Sequence, residues 1–182
     1  MNVATQISGN IRPDNEALHS FISMLTLIGI HVTQPLSDES LFYGSDKIAA
    51  WQHYNQEFGF YESIAQSAFH IIYNDDVIDN EIGLQILYAM SKDRPILMTG
   101  APHFSESLSP FVKGLIVMHL PLFHSAKLPE LDLPDLQLLL GKLRPVDYKL
   151  TKSQNILIAS MVKAHFRELL DQSKSHITNS RA

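Results

Sequence analysis

Residues 69 to 98 read FHIIYNDDVIDNEIGLQILYAMSKDRPILM, and this stretch decides the fold class. Phe69 to Tyr73 is a short apolar, β-favouring run that breaks sharply at Asn74-Asp75-Asp76. Ile82, Ile86, Ala89 and Met90 then recur at helical spacing, Lys92-Asp93-Arg94 leads out to Pro95, and PILM begins a second short apolar run. Strand, helix and strand in this order make a βαβ unit. Its crossover is right-handed and its two strands lie parallel in one sheet.

The same alternation extends outward on both sides. Val3 to Ile7 predicts a strand that stops at Ser8-Gly9-Asn10, and Pro13-Asp14-Asn15 sets up a helix carrying Leu18, Phe21, Ile22, Leu25 and Ile28 on one face. Gly29 stands where a glycine ends a helix, and Ile30 to Thr33 is the next strand, closed by Pro35. Residues 36 to 50 show no clear period and lead into a helix over about 48 to 68. Beyond Gly100 the pattern predicts a helix over 107 to 118 begun at Ser109-Pro110, a strand within 120 to 128, and a helix from Leu133 to Leu143 after Asp132 or Pro134. A final amphipathic helix spans Ile156 to Leu170, and the tail QSKSHITNSRA is expected to fray. The predicted class is α/β: a doubly wound, Rossmann-like or flavodoxin-like parallel sheet in three layers, with a C-terminal helical extension. Residues 1–145 form the α/β domain, and 146–182 are the C-terminal helix and frayed tail of that same domain.

Composition narrows the partners. The chain has 182 residues, 45% of them hydrophobic, enough for one core that buries about 70% of the unfolded surface. Lys+Arg 14 against Asp+Glu 19 gives a net charge of -5 with no basic run, which argues against a nucleic-acid polymer and leaves small ligands open. The absence of cysteine removes thiol nucleophiles, disulfides and cysteine-ligated metals. No apolar run reaches a membrane span, and MNVATQIS lacks the basic and apolar regions of a signal peptide, so a cytoplasmic protein away from membranes is expected.

In an open α/β sheet, ligands bind beyond the carboxyl ends of the strands, where backbone N–H groups and helix N-termini face outward. Three segments meet that condition. Ser8-Gly9-Asn10-Ile11-Arg12 pairs a glycine that permits close backbone approach with an arginine whose planar fork suits a phosphate or carboxylate; read plainly, it is also a strand-to-helix turn with a solvated arginine. Asn74-Asp75-Asp76 continues to Asp79, Asn80 and Glu81 at a helix start, where acidic residues cap N–H groups and complement the dipole. Capping leaves Gln85 unexplained. Four residues beyond Glu81, it shares that helix face and makes with it a polar pair able to hold ligand hydroxyls. Thr99-Gly100-Ala101 is the third segment.

SGNIRPD, FHIIYND and EIGLQILYAMSKDRPI together resemble the nucleoside 2-deoxyribosyltransferase superfamily, which includes the 2'-deoxynucleoside 5'-phosphate N-hydrolases. The likeness covers residues 3 to 99. In that family the first loop reads close to G-S-I-R and holds the 5' end or phosphate, which implies that role for Ser8, Gly9, Asn10 and Arg12. The helix motif is close to G-x-E-x-G-Y-A followed by G-K-P, its glutamate being the nucleophile that attacks the anomeric carbon. Gly83, Tyr88, Ala89 and Pro95 match it, placing Gln85 at the glutamate and Leu87 at the second glycine. The acid that protonates the leaving base is an aspartate in the family. Glu57 or Glu62 stands near that place here.

Two readings follow from the resemblance. An enzyme would cleave or transfer the N-glycosidic bond of a nucleoside or nucleotide, with Glu81 taking over as nucleophile beside Gln85 and with Glu57 or Glu62 as acid. A binding or sensing module would keep the pocket, with Ser8, Gly9, Asn10, Arg12, Asn74, Asp75, Asp79 and Gly83 around the ligand and Gln85 on a sugar hydroxyl, and would drop the chemistry. No cofactor is implied by either. The nine histidines are scattered without ligand spacing, so no metal is expected; His103, on the loop after the fourth strand, is the one placed near the site. Relatives of the family commonly pair through helices beside the site. The apolar stripes of residues 82 to 90 and 109 to 118 add to that expectation of a homodimer or higher homo-oligomer.

Overall fold

The computed structural model describes residues 3–9, 15–33, 58–74, 80–100, 108, 110, 113–114, 123–127, 131–143 and 150–179. In chain order these hold β1 (Val3–Gly9), α1 (Glu16–Leu27), β2 (Ile30–Thr33), α2 (58–66), β3 (Phe69–Asn74), α3 (Asn80–Ser91), β4 (Ile96–Gly100), β5 (Phe123–Lys127), α4 (Leu133–Lys142) and α5 (Lys152–Asn179). The five strands form one sheet in the order β2-β1-β3-β4-β5, every pair parallel. This is the doubly wound α/β architecture predicted from the alternation, in its flavodoxin-like strand order.

Side chains alternate across the central strands and so divide between two cores. Ile7, Phe69, Ile71, Tyr73 and Leu97 pack with Leu18, Phe21 and Leu25 of α1 and Leu136 of α4. Ile72, Ile96 and Met98 pack on the opposite face with Phe60 and Ile64 of α2 and Ile86, Ala89 and Met90 of α3. Because β3 is covered on both faces, it reads as a nearly continuous apolar run. The helix starts are equally local in origin. Asn15 caps α1 by accepting from the Leu18 N–H at 3.0 Å, and Asp132 rather than Pro134 caps α4, accepting from the Asp135 N–H at 2.8 Å.

The last helix is longer than predicted. It starts at Lys152 because Thr151 and Gln154 form a reciprocal capping box: Gln154 N–H donates to Thr151 Oγ1 at 3.2 Å, and Thr151 N–H donates to Gln154 Oε1 at 2.8 Å. It continues through Asn179, into the stretch expected to fray. Ile158, buried, and Val162 and Phe166, half-buried, lay it against α2 and α3, with the Phe166 ring 5.3 Å from Tyr61. The excursion over 36 to 50 and most of the predicted helix over 107 to 118 fall outside the described residues; of the latter, 110 and 113–114 are helical.

Among the described residues, two turns use left-handed backbone. Gly29, at φ 81°, ends α1 without strain, whereas Asp93, at φ 53°, does the same after α3 with a side chain attached. Asp93→Gly relieves that conformation at some entropic cost in the unfolded chain, so a net gain of about 0.5 kcal/mol is expected in urea unfolding.

Candidate functional site

Parallel pairing brings three strand ends together. Gly9 lies opposite Tyr73, Tyr73 opposite Thr99, and Asn74 opposite Gly100, so the segments predicted after β1, β3 and β4 leave one carboxyl edge side by side. Between β1 and β3 the connections diverge: α1 covers one face and α2 and α3 the other. Such a switch point is where an open α/β sheet forms its ligand crevice.

On the α1 side, Asn15 does two jobs. Its Oδ1 caps the helix and its Nδ2 donates to the Tyr73 hydroxyl, which ties the start of α1 to the end of β3. Thr99 is beside Tyr73 in the ladder and fully buried, and its hydroxyl makes no hydrogen bond among the described residues. On the α2 and α3 side, Ser8 Oγ and His70 Nε2 are 2.9 Å apart, both side chains buried. The Phe60 ring stands edge-on to His70, 6.3 Å between centroids. Burial pushes the His70 imidazole down to about 3, and the Gln6 backbone opposes that shift only in part, so the ring is neutral at neutral pH. Gln6 completes a buried polar row with Ser8 and His70 on this face.

The predicted residues divide accordingly. Gly9 and Asn74 are at the edge, as the strand ends required. Ser8 is 2% exposed and bonded to His70 behind that edge. Gln85 is in α3, 5% exposed, with Gly83 buried on the same helix, and Glu81 occupies the first turn of α3. Glu62 is exposed on α2, and its charge reaches Tyr88, a turn beyond Gln85; burial first and Glu62 second push the Tyr88 phenol up. Asn10, Arg12, Glu57, Asp75, Asp79 and His103 lie outside the described residues. The sequence reading placed Thr99 in the third segment but had no signal for the hydrogen bond between Asn15 and Tyr73. It grouped His70 with scattered histidines, although a histidine flanked by Phe69 and Ile71 in a strand covered on both faces is a core residue.

The stripe over 82 to 90 is spent inside the chain, since Ile86, Ala89 and Met90 are fully buried beneath α2 and α3's own sheet contacts. Among the described residues no three His, Asp or Glu side chains converge as a metal site would require. No described helix is long and apolar enough to cross a membrane.

No family model matches the chain, and no curated protein matches it. Among solved structures the chain is similar to the CMP N-glycosidase BcmB of Clostridium botulinum, with 12% sequence identity, a TM-score of 0.44, and coverage of 76% of this chain and 96% of that one.

Proposed function

We propose that this protein binds a nucleoside or nucleotide at the carboxyl edge of β1, β3 and β4 and holds it without efficient turnover. The observation that carries the reading is the register that puts Gly9, Asn74 and Gly100 together at the switch point, where the motif resemblance puts its ligand. Gly9, Asn10 and Arg12 take the 5' end or phosphate. Asn74, Asp75, Asp79 and Gly83 border the sugar and base, and Gln85 serves as a hydrogen-bonding group where the family carries its nucleophile. A carboxylate there balances an oxocarbenium-like centre and captures the sugar covalently; an amide does neither.

The second reading is a divergent N-glycosidase, and the place of Glu81 favours it. In the first turn of α3 and four residues before Gln85, Glu81 shares that helix face. Its acid would be Glu57 or Glu62.

Thermal unfolding with a panel of nucleosides and nucleoside 5'-monophosphates, followed by chromatography for released base, tests both. Stabilisation without base release supports the binding module. Rapid base release supports the enzyme, and neither effect ends both readings. The same proposal includes a homodimer, resting on α5, where Ile156 and Leu157 are 58% and 60% exposed and Met161 extends the patch. Sedimentation at micromolar concentration is expected to show a dimer, and Leu157→Lys a monomer; a wild-type monomer contradicts the pairing.

A further inference from the structure

Among the described residues, β1 is paired on both sides only as far as Gln6, which stands opposite Thr33 of β2 and His70 of β3. Ile7, Ser8 and Gly9 pair with Ile71, Ile72 and Tyr73 of β3. The Ser8–His70 contact, one residue before Gly9, ties this end of β1 to β3: it runs diagonally between the strands, two residues out of direct register, on the face covered by α2.

The polarity of this hydrogen bond follows from the ring. A neutral imidazole carries one N–H and one lone pair. The Gln6 backbone favours the protonated ring, and a backbone group does that only as a carbonyl facing a ring N–H. With Nε2 engaged by Ser8, Nδ1 is the other ring nitrogen, buried and with no well-formed hydrogen bond among the described residues. In the tautomer with the proton on Nδ1, Nε2 presents its lone pair and the Ser8 hydroxyl donates to it.

We propose that His70 is a positioning residue for the nucleotide site: it accepts a hydrogen bond from the Ser8 hydroxyl, fixes the exit of β1 into Gly9, and keeps Ser8 from donating to a ligand anion. The proposal rests on the nucleotide-binding reading above. It moves Ser8 from the ligand shell to a support behind it, and the phosphate must find its donors in the chain from Gly9 onward. The same two residues would make a nucleophile and base only if the imidazole took a proton near neutral pH, and its burial forbids that.

Ring correlations of His70 in 15N-labelled protein read the tautomer directly. Nδ1 protonated and Nε2 unprotonated is the expected result, with the Nε2 signal moved by Ser8→Ala and retained by Ser8→Thr. A protonated Nε2 overturns the proposal. Titration with the tightest-binding nucleoside 5'-monophosphate of the panel supplies the functional readout. Ser8→Ala is expected to bind about tenfold more weakly, with Ser8→Thr and His70→Gln, which keep donor and acceptor, within about threefold of wild type. Melting curves on each variant separate lost folding from lost positioning. Wild-type binding with unchanged affinity in Ser8→Ala overturns the positioning role alone. A wild type that binds no nucleotide overturns the binding reading and this role with it.

Discussion

Gln85→Glu is expected to raise N-glycosidic cleavage of nucleoside 5'-monophosphates by about 10²- to 10³-fold over the wild-type chain. The argument is electrostatic. Gln85 sits 5% exposed on α3, where little water competes with a charge placed beside a reacting sugar. A carboxylate there stabilises positive charge at the anomeric carbon and forms the glycosyl ester that an amide cannot form. The same burial raises the carboxyl's own pKa and is expected to cost the fold about 1 to 3 kcal/mol, so rates are compared per folded molecule. Base release measured by chromatography decides the matter. Equal, negligible rates for both forms show that the edge does not assemble a glycosidase site. Robust wild-type turnover shifts the nucleophile to Glu81, and Glu81→Gln should then abolish it.

Acid should weaken the fold through His70. The ring is pushed from its ordinary 6.5 to about 3 by burial, so the unfolded chain binds its proton first as pH falls. From about pH 8 upward neither state is appreciably protonated and His70 contributes almost no pH dependence. Below 6.5 the unfolded state gains a proton that the folded state refuses, and stability falls continuously until the folded ring titrates near 3. Between about pH 7.5 and about pH 5 the loss from this one group is about 2 kcal/mol. Carboxylates titrate in the lower part of that window, so the quantity to measure is the difference between wild type and His70→Gln in urea unfolding. The variant holds no ionisable group there and should lack this share of the acid loss. Parallel pH profiles would mean that the ring is hydrated or protonated in the folded protein.

The fold was legible because its signals are local. FHIIY and PILM are covered on both faces, and such strands are apolar at nearly every position. The stripe from Ile82 to Met90 marked α3, and Gly29 marked the end of α1. What escaped depends on partners. Ser8 and Gly9 have little intrinsic β preference and belong to β1 because β3 pairs with them. The start of α5 was written in Thr151-Lys-Ser-Gln154, a capping box that precedes the apolar pattern by several residues.

The candidate site divides the same way. That Gly9, Asn74 and Gly100 share an edge follows from each ending a parallel strand. That Ser8 meets His70 does not, because the two are 62 residues apart and touch only in one register. Gln85 read, from its spacing to Glu81, as half of a polar pair able to hold ligand hydroxyls. The structure buries it because α3 has the sheet on one side and α5 on another, leaving little of its surface for solvent.

The most direct test of the nucleotide site is an amide chemical-shift titration of the labelled full chain with a nucleoside 5'-monophosphate. Binding at the carboxyl edge predicts saturable shifts of the Gly9, Asn74 and Gly100 amides, with the β2 and α4 amides unmoved. Saturable shifts confined to any other face, or none at all, would contradict it.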